Sequence, residues 1–228
     1  GVDRRQRQMC IREELEQGKL TFKPSQALLL DALLASQQQV KVDRQFAGLR
    51  EKLRSFQGIA PLEKPRGFVG DLRAYQQEGL GWFKFLQDFR FGGCLADDMG
   101  LGKTVQVLAL LEQQRARRLK KDEVRKPSLV VVPRSLIFNW QEEASRFAPK
   151  LKVLNFSQPD RTTQWEQVAQ HDVILTTYGV LLRDIAEWNQ HHFDYVILDE
   201  AQAIKNNNSQ SAKACRLPNA RHRLALKG

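Results

Sequence analysis

The chain has 228 residues, is 42% hydrophobic and carries a formal net charge of +10. That is enough apolar content for a core in one large or two small domains. No apolar run approaches the ~20 residues of a membrane-spanning helix, and the charged start GVDRRQRQ is unlike a secretory leader, so a soluble intracellular protein with no membrane partner is expected.

Cys10, Cys94 and Cys215 are odd in number and far apart, which suits reduced thiols in packing or surface positions better than disulfides or a zinc site. The positive balance points to a polyanionic partner.

In chain order, residues 1–65 read as a helical segment ending in a linker. RRQRQMCIREELEQG, PSQALLLDALLAS and VDRQFAGLREKLRSF have helical spacing, KLTFKP suits a short edge strand, and IAPLEKPRG has the prolines and glycine of a connection. From Asp71, placed to cap a helix carrying Leu72, Tyr75, Leu80, Phe83 and Leu86 on one face, strands and helices alternate. Strands are expected near 93–96, 129–132, 151–155, 172–176, 195–198 and 222–226. Such alternation builds an α/β fold, a parallel sheet with helices on both faces and ligands at the strands' carboxyl ends. Trp140 and Phe138 are expected in the core, on a helix whose apolar stripe holds Leu136, Trp140, Ala144 and Phe147. The basic block RARRLKKDEVRK, residues 115–126, reads as a solvated connection.

Residues 96–104 read ADDMGLGKT, between an apolar strand and a helix-forming run. Glycines at 100 and 102 allow a tight turn that aims backbone N–H groups at a phosphate. Lys103 adds a point charge, Thr104 a hydroxyl suited to Mg2+, and the following helix its positive end. Alone, GxGKT could equally be a turn before a helix, because Asp97 stands where the strict phosphate-loop pattern has glycine. The second signal is YVILDE, residues 195–200, an apolar strand ending in two carboxylates. Buried carboxylates are costly unless they meet a cation or donors. Asp199 suits a magnesium ion and Glu200 a water attacking a γ-phosphate. By itself this too reads as an acidic turn; together the pair is the expected equipment of a P-loop NTPase.

From Leu72 to the end the motifs resemble, in order, those of the N-terminal RecA-like lobe of a Swi/Snf-type ATPase of helicase superfamily two, bacterial members in particular. LRAYQ (72–76) is similar to the adenine-recognising Q motif, ADDMGLGKT to motif I, VVPRSLIFNW (131–140) to motif Ia, ILTTYG (174–179) to the next strand-end motif, and LDEAQAIKN (198–206) to motif II. RLALKG (223–228) aligns with a motif III that would continue LTGTP, so Lys227 stands where threonine is expected.

The resemblance implies a RecA-like lobe over 66–228, truncated at motif III, serving an ATP-dependent double-stranded DNA translocase with ATP and Mg2+ as cofactors. It implies Lys103, Asp199, Glu200 and Gln202 as catalytic residues and Thr104 and Asp199 as metal ligands. Nucleotide binding falls to Arg73, Gln76, Asp98, Met99, Gly100, Leu101, Gly102, Lys103 and Thr104. Polynucleotide phosphates fall to Arg134, Ser135, Thr176, Thr177 and Tyr178, of which Ser135 and Thr177 also read as helix caps. A second RecA-like lobe, absent from this chain, a transcription or repair complex and a bacterial, nucleoid-associated cytoplasmic setting are implied as well. The isolated lobe is expected to be nearly inactive, because the charge-stabilising arginine would come from the second lobe.

Overall fold

Strands with no polar face hold the centre of this molecule, seen in a computed structural model that describes residues 9–10, 58–89, 92–96, 102–200 and 218–227. Ser128–Val132 is buried at every position and Val173–Thr177 at all but the last, the continuous apolar reading of parallel strands covered on both faces. The strands are β1 (Met9–Cys10), β2 (Gly93–Ala96), β3 (Ser128–Val132), β4 (Val153–Asn155), β5 (Val173–Thr177), β6 (His192–Leu198) and β7 (Asn219–Lys227). They form one sheet in the order β1-β2-β7-β6-β3-β5-β4, parallel from β2 to β4, with β1 antiparallel on β2. The helices are α1 (Ala74–Phe89), α2 (Lys103–Lys120), α3 (Ile137–Phe147), α4 (Tyr178–Arg183) and α5 (Ile185–Trp188).

Alternation along the strands divides the core in two. Val130, Val132, Val173, Leu175, Tyr195, Ile197, Leu224 and Leu226 face α1, α2 and α3. Leu129, Val131, Ile174 and Val196 face the other way, onto Phe156, Leu181, Trp188 and Phe193. In that second layer Phe156, Trp165 and Trp188 meet edge-on or tilted with ring centroids 4.5 to 4.9 Å apart, a favourable arrangement for aromatic quadrupoles.

Register brings the strand ends level. Val132 lies beside Thr177 and Val131 beside Leu198, while Ala96 pairs with Lys227 and Leu198 with Ala225. The segments leaving β2, β3, β5 and β6 therefore emerge on one edge of the sheet.

All the expected core strands form, with shifted limits, but several other expectations change. Met9 and Cys10, expected in a helix, form β1; the other N-terminal helices and the KLTFKP strand lie outside the described residues. The connection at 59–67 packs on α1 instead of standing free: the Leu62 N–H donates to Gln77 O at 2.9 Å, and the Ala60 carbonyl fills the place a Cβ on Gly81 would take. Asp71 caps nothing, being exposed and paired with Lys64 at 2.8 Å. The opening of α1 is held by Gln76, whose Oε1 accepts from the Arg73 N–H at 2.9 Å.

Phe138 is 74% exposed, whereas Trp140 and Ala144 are buried. A 3-10 turn at Arg134–Leu136 precedes α3, and Phe138 falls off the buried stripe. The basic block is not a simple solvated connection either. Its first half continues α2 to Lys120, and two of its arginines meet buried carboxylates: Arg115 with Glu112 at 2.7 Å and Arg118 with Asp172 at 2.9 Å.

Candidate functional site

The turn before α2 ends in Gly102, whose φ of +73° is open to glycine and costly for other residues. Among the described residues no side chain caps this helix start, and no acidic residue occupies its first turn. The first-turn N–H groups and the positive end of this 18-residue helix are the local electrostatics of an anion site. Lys103 and Thr104, the first two residues of α2, are half-buried beside it. Gln76 approaches from α1, with its amide nitrogen 2.7 Å from where a Cβ on Gly102 would stand. At 6% exposure this amide is buried between the first turn of α1 and the loop.

Two strands along the same edge, separated from β2 by β7, β6 delivers Asp199 and Glu200. Neighbouring strands lie about 4.8 Å apart, so the two strand ends are separated by roughly 10 Å, a span suited to a phosphate chain. Asp199 is buried. Its Oδ2 accepts from the Trp140 indole N–H at 2.8 Å and its Oδ1 from the Glu200 N–H at 2.9 Å. Its backbone is held too, by N–H donation to Val131 O at 2.8 Å and by the Tyr178 hydroxyl donating to Asp199 O at 2.6 Å. A carboxylate has about four lone-pair sites, and these two donors leave acceptor capacity on both oxygens. Glu200 follows at φ +50°, a left-handed turn that redirects its side chain relative to the strand; such strain in a non-glycine residue often marks a functional site.

A third carboxylate stands close by. Burial pushes the Glu143 carboxyl up; the hydrogen bond from Asn139 opposes this, and the charges of Glu142 and Asp199 add to it.

Among the described residues no group of three His, Cys, Asp or Glu could hold a metal ion. Mg2+ commonly takes one or two protein oxygens, keeps waters and binds substrate phosphates. Thr104 and Asp199, a hydroxyl and a carboxylate, are hard oxygen donors of the right kind.

The phosphate-facing candidates separate. Arg134 and Ser135 are exposed in the 3-10 turn after β3; Ser135 does not stand at a cap, because Pro133 precedes that turn and Leu136 precedes α3. Thr177 does cap α4, accepting from the Val180 N–H. Thr176 is fully buried and donates to Phe156 O at 3.0 Å. It belongs to the sheet interior, because in a strand its side chain points opposite to that of Thr177. Tyr178 turns its hydroxyl toward Asp199. The Arg73 side chain is exposed at the start of α1. Asp98, Met99, Gly100, Leu101 and Gln202 lie outside the described residues. Sequence reasoning placed Trp140 in the core and missed its bond to Asp199; the only signal available was the polar N–H of a buried indole, which demands a partner.

The family model described as SNF2-related domain matches residues 75–228. An uncharacterized ATP-dependent helicase of Mycoplasma pneumoniae is 42% identical over 163 residues, which cover 70% of this chain and 15% of the relative. A putative ATP-dependent helicase/translocase of Bacillus subtilis, YwqA, is 36% identical over 205 residues, covering 88% of the chain and 22% of the relative. The TATA-binding protein-associated factor MOT1 of Saccharomyces cerevisiae is 37% identical over 179 residues, 74% of the chain and 10% of that protein. The chain thus spans less than a quarter of each of these relatives. Among solved structures, the Sulfolobus solfataricus SWI2/SNF2 ATPase core in complex with dsDNA superimposes with a TM-score of 0.63 at 40% identity, covering 76% of this chain and 34% of that one.

Proposed function

The chain belongs to the SNF2-related domain family, and from that premise we propose that it is the ATP-binding motor lobe of a DNA-dependent ATPase that moves along double-stranded DNA. Its parallel sheet with helices is the RecA-like arrangement of the SWI2/SNF2 ATPase core. One observation carries the reading. The glycine turn with Lys103 and Thr104, and the acidic pair Asp199 and Glu200, leave the same edge of the sheet two strands apart.

Each residue has a role that its chemistry supports. The N–H groups of the first turn of α2 and the Lys103 ammonium counter the charge of the β- and γ-phosphates. Thr104 and Asp199 would hold Mg2+, which when bound neutralises charge on the phosphate oxygens. Glu200 orients the attacking water and draws on its proton. Gln76, with one donor and one acceptor on a single amide, matches an adenine edge, and its place at Gly102 ties base recognition to the loop. Gln202 is assigned to γ-phosphate sensing by resemblance. Phosphates of the duplex meet Arg134, Ser135 and the helix start at Thr177 without any reading of bases.

A second RecA-like lobe completes the catalytic centre, and the setting is a bacterial nucleoid-associated transcription or repair complex. The dsDNA held by the related archaeal core supports the choice of nucleic acid.

The test compares ATP hydrolysis, with and without duplex DNA, by this chain and by a protein that joins it to a second RecA-like lobe. The two-lobed protein should hydrolyse ATP at about 1 to 100 per second with DNA, and the single lobe 10³ or more times slower. Stimulated turnover at ordinary rates by the single lobe would overturn the division of labour, and no nucleotide binding by either protein would overturn the reading as a whole.

A further inference from the structure

Asp199 is fixed from two directions by side chains that sequence reasoning assigned elsewhere. Trp140, on α3 and 2% exposed, gives its indole N–H to the carboxylate. Tyr178, the first residue of α4, gives its hydroxyl to the backbone carbonyl of the same residue. Neither contact is local: Trp140 is 59 residues away in sequence and Tyr178 is 21. We propose that Trp140 and Tyr178 are positioning residues for nucleotide hydrolysis, holding the Asp199 carboxylate in the single orientation in which its remaining lone pairs can take a divalent cation.

An Asp side chain at a strand end has a broad terminal torsion, so its carboxylate can turn unless donors fix both oxygens. Here the Glu200 N–H fixes Oδ1 from the next residue and Trp140 fixes Oδ2 from another element. An indole has one N–H donor and nothing else polar. Its burial on the sheet-facing stripe of α3 leaves Asp199 as the group that satisfies it. Tyr178 acts one step further back, on the backbone that carries the side chain, beside the left-handed turn at Glu200. Partners of this kind, which orient a ligand without touching the metal, typically change metal affinity by about 10 to 100-fold when removed.

Position adds a second aspect. The 3-10 turn bearing Arg134 and Ser135 runs directly into α3, and Thr177 immediately precedes Tyr178. Each of the two segments assigned to the duplex backbone is therefore followed, within a turn or two of chain, by a donor to Asp199. A displacement of the first segment by bound phosphate would reach the carboxylate through the Trp140 hydrogen bond, and a displacement of the second would reach the backbone that carries it through the Tyr178 hydroxyl.

The proposal rests on the reading of Asp199 as a metal ligand, and the experiment separates the two. Mn2+ binding to the chain in the presence of a non-hydrolysable ATP analogue is followed by electron paramagnetic resonance for the unsubstituted chain, Asp199→Ala, Trp140→Phe, Tyr178→Phe and the double variant Trp140→Phe/Asp199→Ala. Thermal melts report folding of each. Asp199→Ala should lose the analogue-dependent Mn2+ site. Trp140→Phe, which keeps an aromatic ring in the core, should weaken Mn2+ by about tenfold or more, and Tyr178→Phe by a smaller factor. The double variant should bind no more weakly than Asp199→Ala alone, because Trp140 acts only through that carboxylate. Unchanged Mn2+ affinity in both Trp140→Phe and Tyr178→Phe, alongside a loss in Asp199→Ala, would overturn the positioning role and leave the metal ligand standing. Unchanged affinity in Asp199→Ala would overturn the metal assignment itself. If Trp140→Phe fails to fold, Tyr178→Phe, which removes a single hydroxyl, decides the matter.

Discussion

The amide nitrogen of Gln76 lies 2.7 Å from the point that a β-carbon on Gly102 would occupy. A side chain at 102 would therefore meet two penalties together, a left-handed backbone at φ +73° and displacement of a buried amide. Gly102→Ala should lower stability by about 1 to 3 kcal/mol and reduce ATP affinity more than stability, since the glutamine and the loop move together. A thermal melt and titration of a fluorescent ATP analogue would measure both; an alanine variant with unchanged affinity would disconnect Gln76 from the nucleotide.

Gln76 has two jobs that substitution can separate. Its Oε1 accepts from the Arg73 N–H, and its Nε2 faces the loop. Gln76→Glu keeps the acceptor and places a charge near the start of α1, where an anion is tolerated, so the melting temperature should hold. ATP affinity should drop by about tenfold or more through repulsion of the phosphates, an electrostatic effect of roughly 1.4 kcal/mol. Gln76→Ala should lose both properties, with the helix start costing about 1 kcal/mol. Equal melting losses in the two variants would contradict this division.

Lys103→Ala and Glu200→Gln should both abolish turnover in the two-lobed protein, by different routes. The lysine change removes charge that the bound triphosphate feels in its ground state, so ATP binding weakens. The glutamine keeps size and tolerates the same φ +50° turn but cannot accept a proton, so binding persists while the rate falls by about 10² to 10⁴. Calorimetric titration of each variant distinguishes them, and parallel losses of affinity would count against the assigned roles.

Asp194 on β6 offers a test independent of the nucleotide. Burial pushes its carboxyl up, opposed by Arg221, Arg117 and Lys126, with repulsion from Glu123 added. A carboxyl raised in the folded state favours folding while protonated, and that contribution is lost as pH rises through its folded value. Its ionised form at pH 7 therefore works against the fold. Asp194→Asn should melt a few degrees higher at pH 7, with the gain vanishing toward pH 4, where ordinary carboxylates protonate. A lower melting point at pH 7 would show that the neighbouring arginines win.

Much of this architecture could be read before any coordinates, for a physical reason. Parallel strands buried on both faces must be apolar throughout, so SLVVV and VILTT announce themselves, and candidate site residues sit where such runs end. What could not be read concerns partners distant in sequence. Trp140 counted as an apolar helix residue because periodicity says nothing about where an indole N–H points. Phe138 is apolar by composition, yet it stands two residues from Trp140 in the same helix and so on the opposite side from the buried stripe. Thr176 and Thr177 look alike in sequence, yet the strand sends one into the core and leaves the other to cap α4.

The ion pairs at the far end of α2 bear on how the chain attracts a polyanion. Arg115 and Arg118 are matched at contact distance by Glu112 and Asp172, so at any range beyond a few ångströms each pair acts as a dipole, not as a free positive charge. The +10 read from composition is distributed unevenly, and these members of its densest run contribute little to the attraction of a polyanion. The speed with which a duplex finds this protein should depend on exposed cations such as Arg134 at the opposite edge of the sheet, and neutralising them should slow association at low salt far more than removing the two paired arginines.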